Sequence, residues 1–236
     1  MTEHKIVSDE EWVEARKGLL AKEKAHSRAR DELTAARQAL PWRKIGKNYR
    51  FKSVGGKVTL ADLFGDKSQL LVQHFMFGPD WELGCKSCSM MADHINPSLP
   101  HLAARDVSFA AISRAPLEKL QAYRRRMGWD FEWVSSLGGD FNYDFGVSFP
   151  EADVAAKNVH YNYRDGASFP DTEGPGMSAF FKDEDGVIYH TYSVYARGVE
   201  SAMGVYDLLD MVAKGRDEDG LDYSQAWFRR HDEYDG

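Results

Sequence analysis

Cys85 and Cys88 are the only cysteines in the 236-residue chain, and they lie one helical turn apart in Cys85-Lys86-Ser87-Cys88. A pair at this spacing can cycle between dithiol and disulfide, or can supply two ligands to a metal. The redox reading makes definite demands. Only a thiolate attacks a disulfide, so the first cysteine needs surroundings that favour its charged form. The first turn of a helix offers unpaired N–H groups and the positive end of the helix dipole. Cys85 is expected there, with Lys86 beside it as a second positive charge, and Cys88 is expected to resolve a mixed disulfide on Cys85. Cys85 should therefore be the more exposed and reactive thiol, and Cys88 the more buried one. A purely structural disulfide is a weak alternative, since closing so small a ring stabilises by about 2 kcal/mol, against about 4–5 for a loop of a hundred residues. Two inert buried thiols are the other bland possibility.

The neighbouring sequence supplies the elements that must hold this pair. Residues 70–77, Leu-Leu-Val-Gln-His-Phe-Met-Phe, form an almost continuous apolar run, as in a strand covered on both faces. Gly78-Pro79-Asp80-Trp81-Glu82-Leu83-Gly84 reads as a turn-rich loop, and a helix is expected over 88–96. His74, alone in the apolar strand, is expected to be a hydrogen-bonded core residue rather than a ligand or base. Pro97 and Pro100 bound a break, with a second helical stretch over 99–105. A second buried strand follows at 107–113, a helix opened by Pro116 runs through Met127, and a short strand covers 131–134. Strand, helix, strand, helix, strand implies consecutive βαβ units around a parallel sheet. Residues 138–176 read as irregular and aromatic-rich. Phe141, Tyr143, Phe145, Phe149, Tyr161, Tyr163 and Phe169 could wall a groove near Cys85, form a contact between subunits or, as the favoured reading, build a satellite core. A hairpin is expected over 179–192 around Asp185-Gly186, then a helix over 200–212, then a charged tail over 216–236 anchored by Trp227 and Phe228.

Before the first of these strands stands an arm, residues 1–44. Ser8 and Glu11 have capping-box spacing, and one long helix is expected over 9–39. Its poor heptad seam, with Trp12, Leu19, Leu33 and Leu40 but also Lys22 and His26, fits either a helix docked on its own domain or a homodimer contact. Short strands are expected at 49–51 and 57–60, and a helical turn near 59–64. The domain proper is read as 45–215.

A net charge of −7 argues against general nucleic-acid binding and against an anionic membrane surface. No run reaches membrane-spanning length. Met1-Thr2-Glu3-His4-Lys5 leads into charged sequence without a signal-peptide pattern, so a cytoplasmic protein is expected, in a reducing compartment where a cysteine pair is more often catalytic or metal-binding than structural.

The order of elements, βαβ with the cysteine pair at the first helix and then a hairpin and helix, resembles the thioredoxin fold. More closely, the chain resembles the bacterial family labelled domain of unknown function 899. The matching stretches are His74-Phe75-Met76-Phe77-Gly78, Gly84-Cys85-Lys86-Ser87-Cys88-Ser89, Ser113 to Leu120, Asp140 to Val147, and Tyr195-Ala196-Arg197-Gly198. The resemblance implies an α/β thioredoxin-like three-layer fold with a central mixed sheet and the long N-terminal helical extension. It departs from typical thioredoxins at three points. Gly84 rather than Trp precedes the first cysteine, with Trp81 further back. Met177-Ser178 stand where thioredoxins carry a cis-proline, with Pro175 nearby. Gln73 and His74 replace a buried carboxylate. The peroxiredoxin pattern of a Thr three residues before the reactive cysteine is absent, since Glu82 holds that position before Cys85. By this resemblance Trp81, Lys86, Met177 and Ser178 are the expected substrate contacts.

The expected function is a cytosolic thiol–disulfide oxidoreductase with Cys85 as nucleophile and Cys88 as resolving thiol. No cofactor is implied, and the expected partner is a disulfide-bearing protein or a small thiol. Two alternatives belong to other classes. One is a zinc or copper module using Cys85, Cys88 and histidine, although His94, six residues on, lies about 9 Å up the helix axis and off the cysteine face. The other is a non-enzymatic scaffold that keeps the fold and assembles through its arm.

Overall fold

The computed structural model describes residues 4–234; the extreme amino terminus, read above as lacking a signal peptide, lies outside them at residues 1–3. The chain divides into two compact units between Pro41 and Trp42. The first contains helix α1, Asp9–Gln38. It begins as the spacing predicts: Glu11 N–H donates to Ser8 Oγ (3.2 Å) and Ser8 N–H donates to Glu11 Oε2 (3.1 Å).

In the second unit the elements follow in chain order: β1 Arg43–Lys44, β2 Arg50–Ser53, β3 Gly56–Thr59, β4 Gln69–His74, α2 Lys86–Ile95, α3 Leu99–Ala103, β5 Val107–Ser113, α4 Leu117–Arg126 and β6 Glu132–Ser135. Then come α5 Phe141–Asp144, α6 Glu151–Ala155, β7 Val159–Tyr161, β8 Arg164–Ala167, β9 Gly176–Lys182, β10 Ile188–Tyr195 and α7 Gly204–Leu209. Eight strands form one sheet in the order β1-β10-β9-β4-β5-β6-β2-β3, while β7 and β8 pair separately. β4 is central, parallel to β5 on one side and antiparallel to β9 on the other, with β10 antiparallel beyond β9. A βαβ unit followed by a hairpin and a helix around this strand is the thioredoxin-like arrangement. β6 and the β2–β3 hairpin widen the sheet beyond β5.

Successive side chains of a strand point to opposite faces, and both faces here are covered. On one face Phe75, Phe109, Ala111, Trp133 and Met177 pack with Cys88 and Met91 of α2, Leu120 and Tyr123 of α4, and Phe228. On the other, Leu70, Val72, Ala110, Ile112, Val134 and Phe180 pack with Phe141, Phe145, Phe149 and Tyr161. The segment 138–176 is thus the second covering layer rather than a satellite core, and it holds two short helices and a small hairpin. Its aromatics close the face turned away from the cysteines, so they form no groove wall beside Cys85.

Two other expectations change. The helix expected over 200–212 is reduced to α7, preceded by a 3-10 stretch, Ala196–Ala202. Met203 is buried with φ −115° and ψ 69°, which breaks the helical run, and His94 Nε2 then accepts the N–H of Val205 (3.2 Å) at the new start. The stretch read as a charged tail packs into the first core through Phe228 and Arg230, which are 1% and 8% exposed.

No side chain fits at Gly176, the first residue of β9. A Cβ would stand 2.6 Å from the Tyr195 ring, whose hydroxyl is held by the carbonyl of Phe145 (2.9 Å). Gly176→Ala should therefore destabilise the fold by about 1–3 kcal/mol in chemical denaturation. Wild-type stability in that variant would refute this packing.

Candidate functional site

The site forms where β4 runs out of sheet. Beyond His74 the chain stays bonded to its neighbour, Phe75 N–H to the Ile112 carbonyl (3.1 Å) and Ala115 N–H to the Phe77 carbonyl (2.8 Å). It then loops out through residues 78–84 and returns, so that Cys85 N–H donates to the Met76 carbonyl (3.0 Å). Gly84 makes the return possible: a Cβ there would stand 2.7 Å from the buried Phe75 ring. Lys119 ties the loop down by donating to the Trp81 carbonyl (2.9 Å).

Cys85 is the N-cap residue of α2, and Cys88 lies in its first turn. Both thiols are free; Cys85 is half-buried and Cys88 is fully buried. The Cys85 thiol forms no strict cap hydrogen bond, yet it is lowered from 9.0 to about 7. The largest cause is the Cys88 thiol, which acts as donor; the N–H groups of Cys88 and Ser87 and the Ser87 hydroxyl add to it, and burial opposes them. These are the helix-start donors expected from the sequence. Lys86, expected to assist, is exposed and is not among these groups. Cys88 is pushed well above its ordinary value, first by its hydrogen bond to Cys85 and then by burial. The Met76 N–H faces its sulfur at 3.5 Å. The pair thus shares one proton between two sulfurs, with the charge on Cys85.

The other expected contacts divide. Met177 is nearly buried and packs in the same cluster as the thiols, and Trp81 packs against that cluster while its ring lies across Gly78. Ser178, one residue along the strand from Met177, points to the opposite face and is fully buried, out of a substrate's reach. Its hydroxyl is 2.7 Å from His74 Nε2 and 2.6 Å from Ser193 Oγ, which is 2.6 Å from His190 Nε2. His74 lies against the rings of Phe141 and Phe145 at 5.6 and 5.7 Å, and burial lowers it to about 3, so it is neutral. It is a hydrogen-bonded core histidine, as expected, and its Nδ1 is left without a partner. On the thiol face Gln73 donates to the Cys88 carbonyl (2.9 Å).

Three features of the site escape the sequence reading. A pocket of about 250 Å3 opens beside Cys88, lined by Met91, Pro175, Val199 and Met203 and rimmed by Ser87 and Gln225. A buried ion pair, Arg114 to Glu173 at 2.9 Å with Ser148 donating to the same carboxylate at 2.6 Å, fastens the chain just before Pro175. Arg230 donates to the carbonyl of Gly84 (2.7 Å) and to the Tyr123 hydroxyl (2.5 Å), clamping the residue before the nucleophile. None had a local signal, because each joins residues distant in sequence.

Among the described residues, no group of three or more His, Cys, Asp or Glu is placed to hold a metal ion. His94 spends its Nε2 on Val205, and His74 lies on the other face of the sheet. Among the same residues no helix is long and apolar enough to cross a membrane.

A family model described as a bacterial protein of unknown function (DUF899) matches residues 1–234, and the chain belongs to that family. No curated protein matches it. Similar solved structures include the peroxidoxin BcpB from Mycobacterium tuberculosis, at 13% identity over 69% of this chain and 93% of that one, with a TM-score of 0.47. A PrxQ mutant from Xylella fastidiosa aligns at 13% identity over 71% and 94%, with a TM-score of 0.44. A hypothetical protein from Sinorhizobium meliloti aligns at 15% identity over 64% and 70%, with a TM-score of 0.40.

Two measurements test this geometry. Cys85 should alkylate much faster than Cys88 near pH 7, with or without a chelator; equal rates that rise together on chelation would mean a metal site. For His74, the folded value of about 3 lies below the ordinary 6.5, so the unfolded chain takes up the proton first on acidification. Stability should fall as pH drops through that window. His74→Asn should lower stability near pH 7 by about 1–3 kcal/mol and make the acid-side fall shallower, with the Cys85 alkylation rate unchanged. An acid limb as steep as that of the wild type would contradict a buried neutral His74.

Proposed function

We propose that this member of the DUF899 family is a thiol–disulfide oxidoreductase with Cys85 as nucleophile and Cys88 as resolving thiol. The observation that carries the reading is the unequal pair: a partly buried thiol at a helix start, lowered to about 7, beside a fully buried thiol raised by it. In a reducing cytosol the pair would rest as the free thiols seen here.

The chemistry follows from the shared proton. The Cys85 thiolate attacks one sulfur of a substrate disulfide; a Cys85–substrate S–S bond forms and the other substrate sulfur leaves as a thiolate. The negative charge has then gone from Cys85, and with it the main cause that holds the proton on Cys88. Cys88 can now deprotonate, with the Met76 N–H facing its sulfur. Its thiolate attacks Cys85 Sγ, closing the Cys85–Cys88 disulfide and expelling the second substrate sulfur. The two departing thiolates take up protons, one of them the proton of Cys88, so two electrons pass to the substrate. An external dithiol restores the pair. β4 offers Gln73 where a proton acceptor could stand, and Gln73 does not titrate, so the proton of Cys88 goes to the leaving sulfur or to water. The apolar pocket beside Cys88 suits a substrate with an apolar group next to its disulfide, whether on a protein or a small molecule.

Redox titration of the wild-type protein should show one reversible two-electron couple. Cys88→Ser should accumulate mixed disulfides on Cys85 that mass spectrometry can identify, and Cys85→Ser should accumulate none. Absence of a reversible couple, or trapping by both variants alike, would overturn the proposal.

A further inference from the structure

The C-terminal segment does more than fill the core beside the thiols. Gln225 Oε1 accepts a hydrogen bond from Ser87 Oγ at 2.6 Å, across 138 residues of sequence. Ser87 stands between the two cysteines, and its hydroxyl is also one of the groups that act on the Cys85 thiolate. A serine hydroxyl carries a single proton, so it can donate to Gln225 or to Cys85 but not fully to both.

The segment is held firmly enough to enforce that choice. Phe228 is 1% exposed in the core, and Arg230 donates to the Gly84 carbonyl and the Tyr123 hydroxyl. Nearby, Tyr206 donates to Glu218 Oε1 (3.1 Å), which also accepts from Trp227 Nε1 (2.6 Å) two residues from Gln225.

We propose that Gln225 is a positioning residue for the nucleophile: by drawing the Ser87 proton to itself it withholds a donor from the Cys85 thiolate, and so the C-terminal segment sets how reactive Cys85 is. The inference rests on reading Cys85 as the nucleophile. It gives the pair an adjustable thiol, since any partner or substrate that draws Gln225 away returns the Ser87 proton to the sulfur. Other charged groups around this end are Lys86 on α2, Lys119 and Glu82 at the loop, Arg197 and Glu200 at the pocket, Arg230 at Gly84 and Glu218 behind Tyr206. All remain in place in the variants below, so a shift caused by them would not follow Ser87.

The test is the pH dependence of iodoacetamide alkylation at Cys85 in the full-length reduced protein, resolved from Cys88 by peptide mass spectrometry. Gln225→Ala and the bulkier Gln225→Met, which keeps the volume if alanine loosens the segment, should lower the Cys85 midpoint by about one pH unit, giving about tenfold more thiolate below it. Adding Ser87→Ala to either variant should abolish the shift, and the slow alkylation of Cys88 should stay as it is. An unmoved or raised midpoint overturns the proposal, as does a shift that survives Ser87→Ala. Faster alkylation of Cys88 in both Gln225 variants also overturns it, because the segment would then act as a mere cover. The midpoint needs no turnover, so it is independent of the redox titration: a protein without a reversible couple sinks the oxidoreductase reading, whereas a reversible couple with an unmoved midpoint sinks only the role of Gln225.

Discussion

The hydrogen bond from Cys85 N–H to the Met76 carbonyl is the contact on which the arrangement of the thiols depends. It lays the start of α2 against the end of the central strand, so that the donors of the first turn converge on one sulfur while the next sulfur is carried into the core. The loop of residues 78–84 can be as long as it is because both of its ends are fixed there. The close approach requires the missing side chain at Gly84, the Phe75 ring that fills its place, and the two clamps, Lys119 on Trp81 and Arg230 on Gly84. Thioredoxin-like topology brings the strand and helix together; these contacts decide where the sulfur points.

The alternation of side chains along β4 then separates two kinds of polar chemistry by the thickness of the sheet. Gln73 faces the thiols and bonds the Cys88 carbonyl, whereas His74 faces away and heads the chain of hydroxyls through Ser178 and Ser193 to His190. Each of these two adjacent residues leaves one buried atom unpartnered, Gln73 Oε1 and His74 Nδ1. An unmade hydrogen bond in the interior costs about 1–3 kcal/mol, so the central strand carries a real penalty at the point where it approaches the site. The dense aromatic packing on both faces, Trp133 and Phe75 on one and Phe141 and Phe145 on the other, offsets it.

What could be read from the sequence was whatever is local. The capping box of α1, the apolar runs of β4 and β5, the Gly186 turn of the β9–β10 hairpin and the order of the two thiols in exposure all follow from residues within a turn or two of one another. What escaped was long-range. Ser178 was assigned together with Met177 from the resemblance, but β9 is already a strand there, and neighbouring residues of a strand face opposite sides of the sheet, so only Met177 faces the thiols. Residues 138–176 carry no single periodicity because they change from helix to hairpin within a few residues, so their role as the second layer appears only when Phe141 and Phe145 meet Val72 and Phe180. The C-terminal stretch read as a charged tail with Trp227 and Phe228 as its apolar anchors, and the burial of Phe228 agrees, but nothing local signalled the role of Arg230. Burial of Phe228 and of the Arg230 guanidinium, satisfied at both Gly84 and Tyr123, makes it part of the site.

Lys86 was assigned a role on the strength of its charge, and the structure shows why charge alone is a poor guide at this position. Lys86 is exposed, and the high dielectric constant of water around its ammonium weakens the field it exerts on the sulfur. The donors that act on the sulfur are gathered at the helix start: the backbone N–H groups of Ser87 and Cys88, the thiol of Cys88 and the hydroxyl of Ser87. Two of these four, the N–H groups, are set by the helix itself, and the Cys88 thiol is held by its burial. The fourth, the Ser87 hydroxyl, can rotate, and it is the one that the distant Gln225 engages. The thiol's reactivity is therefore fixed in the main by local backbone geometry, with its one adjustable part joined to the last segment of the chain.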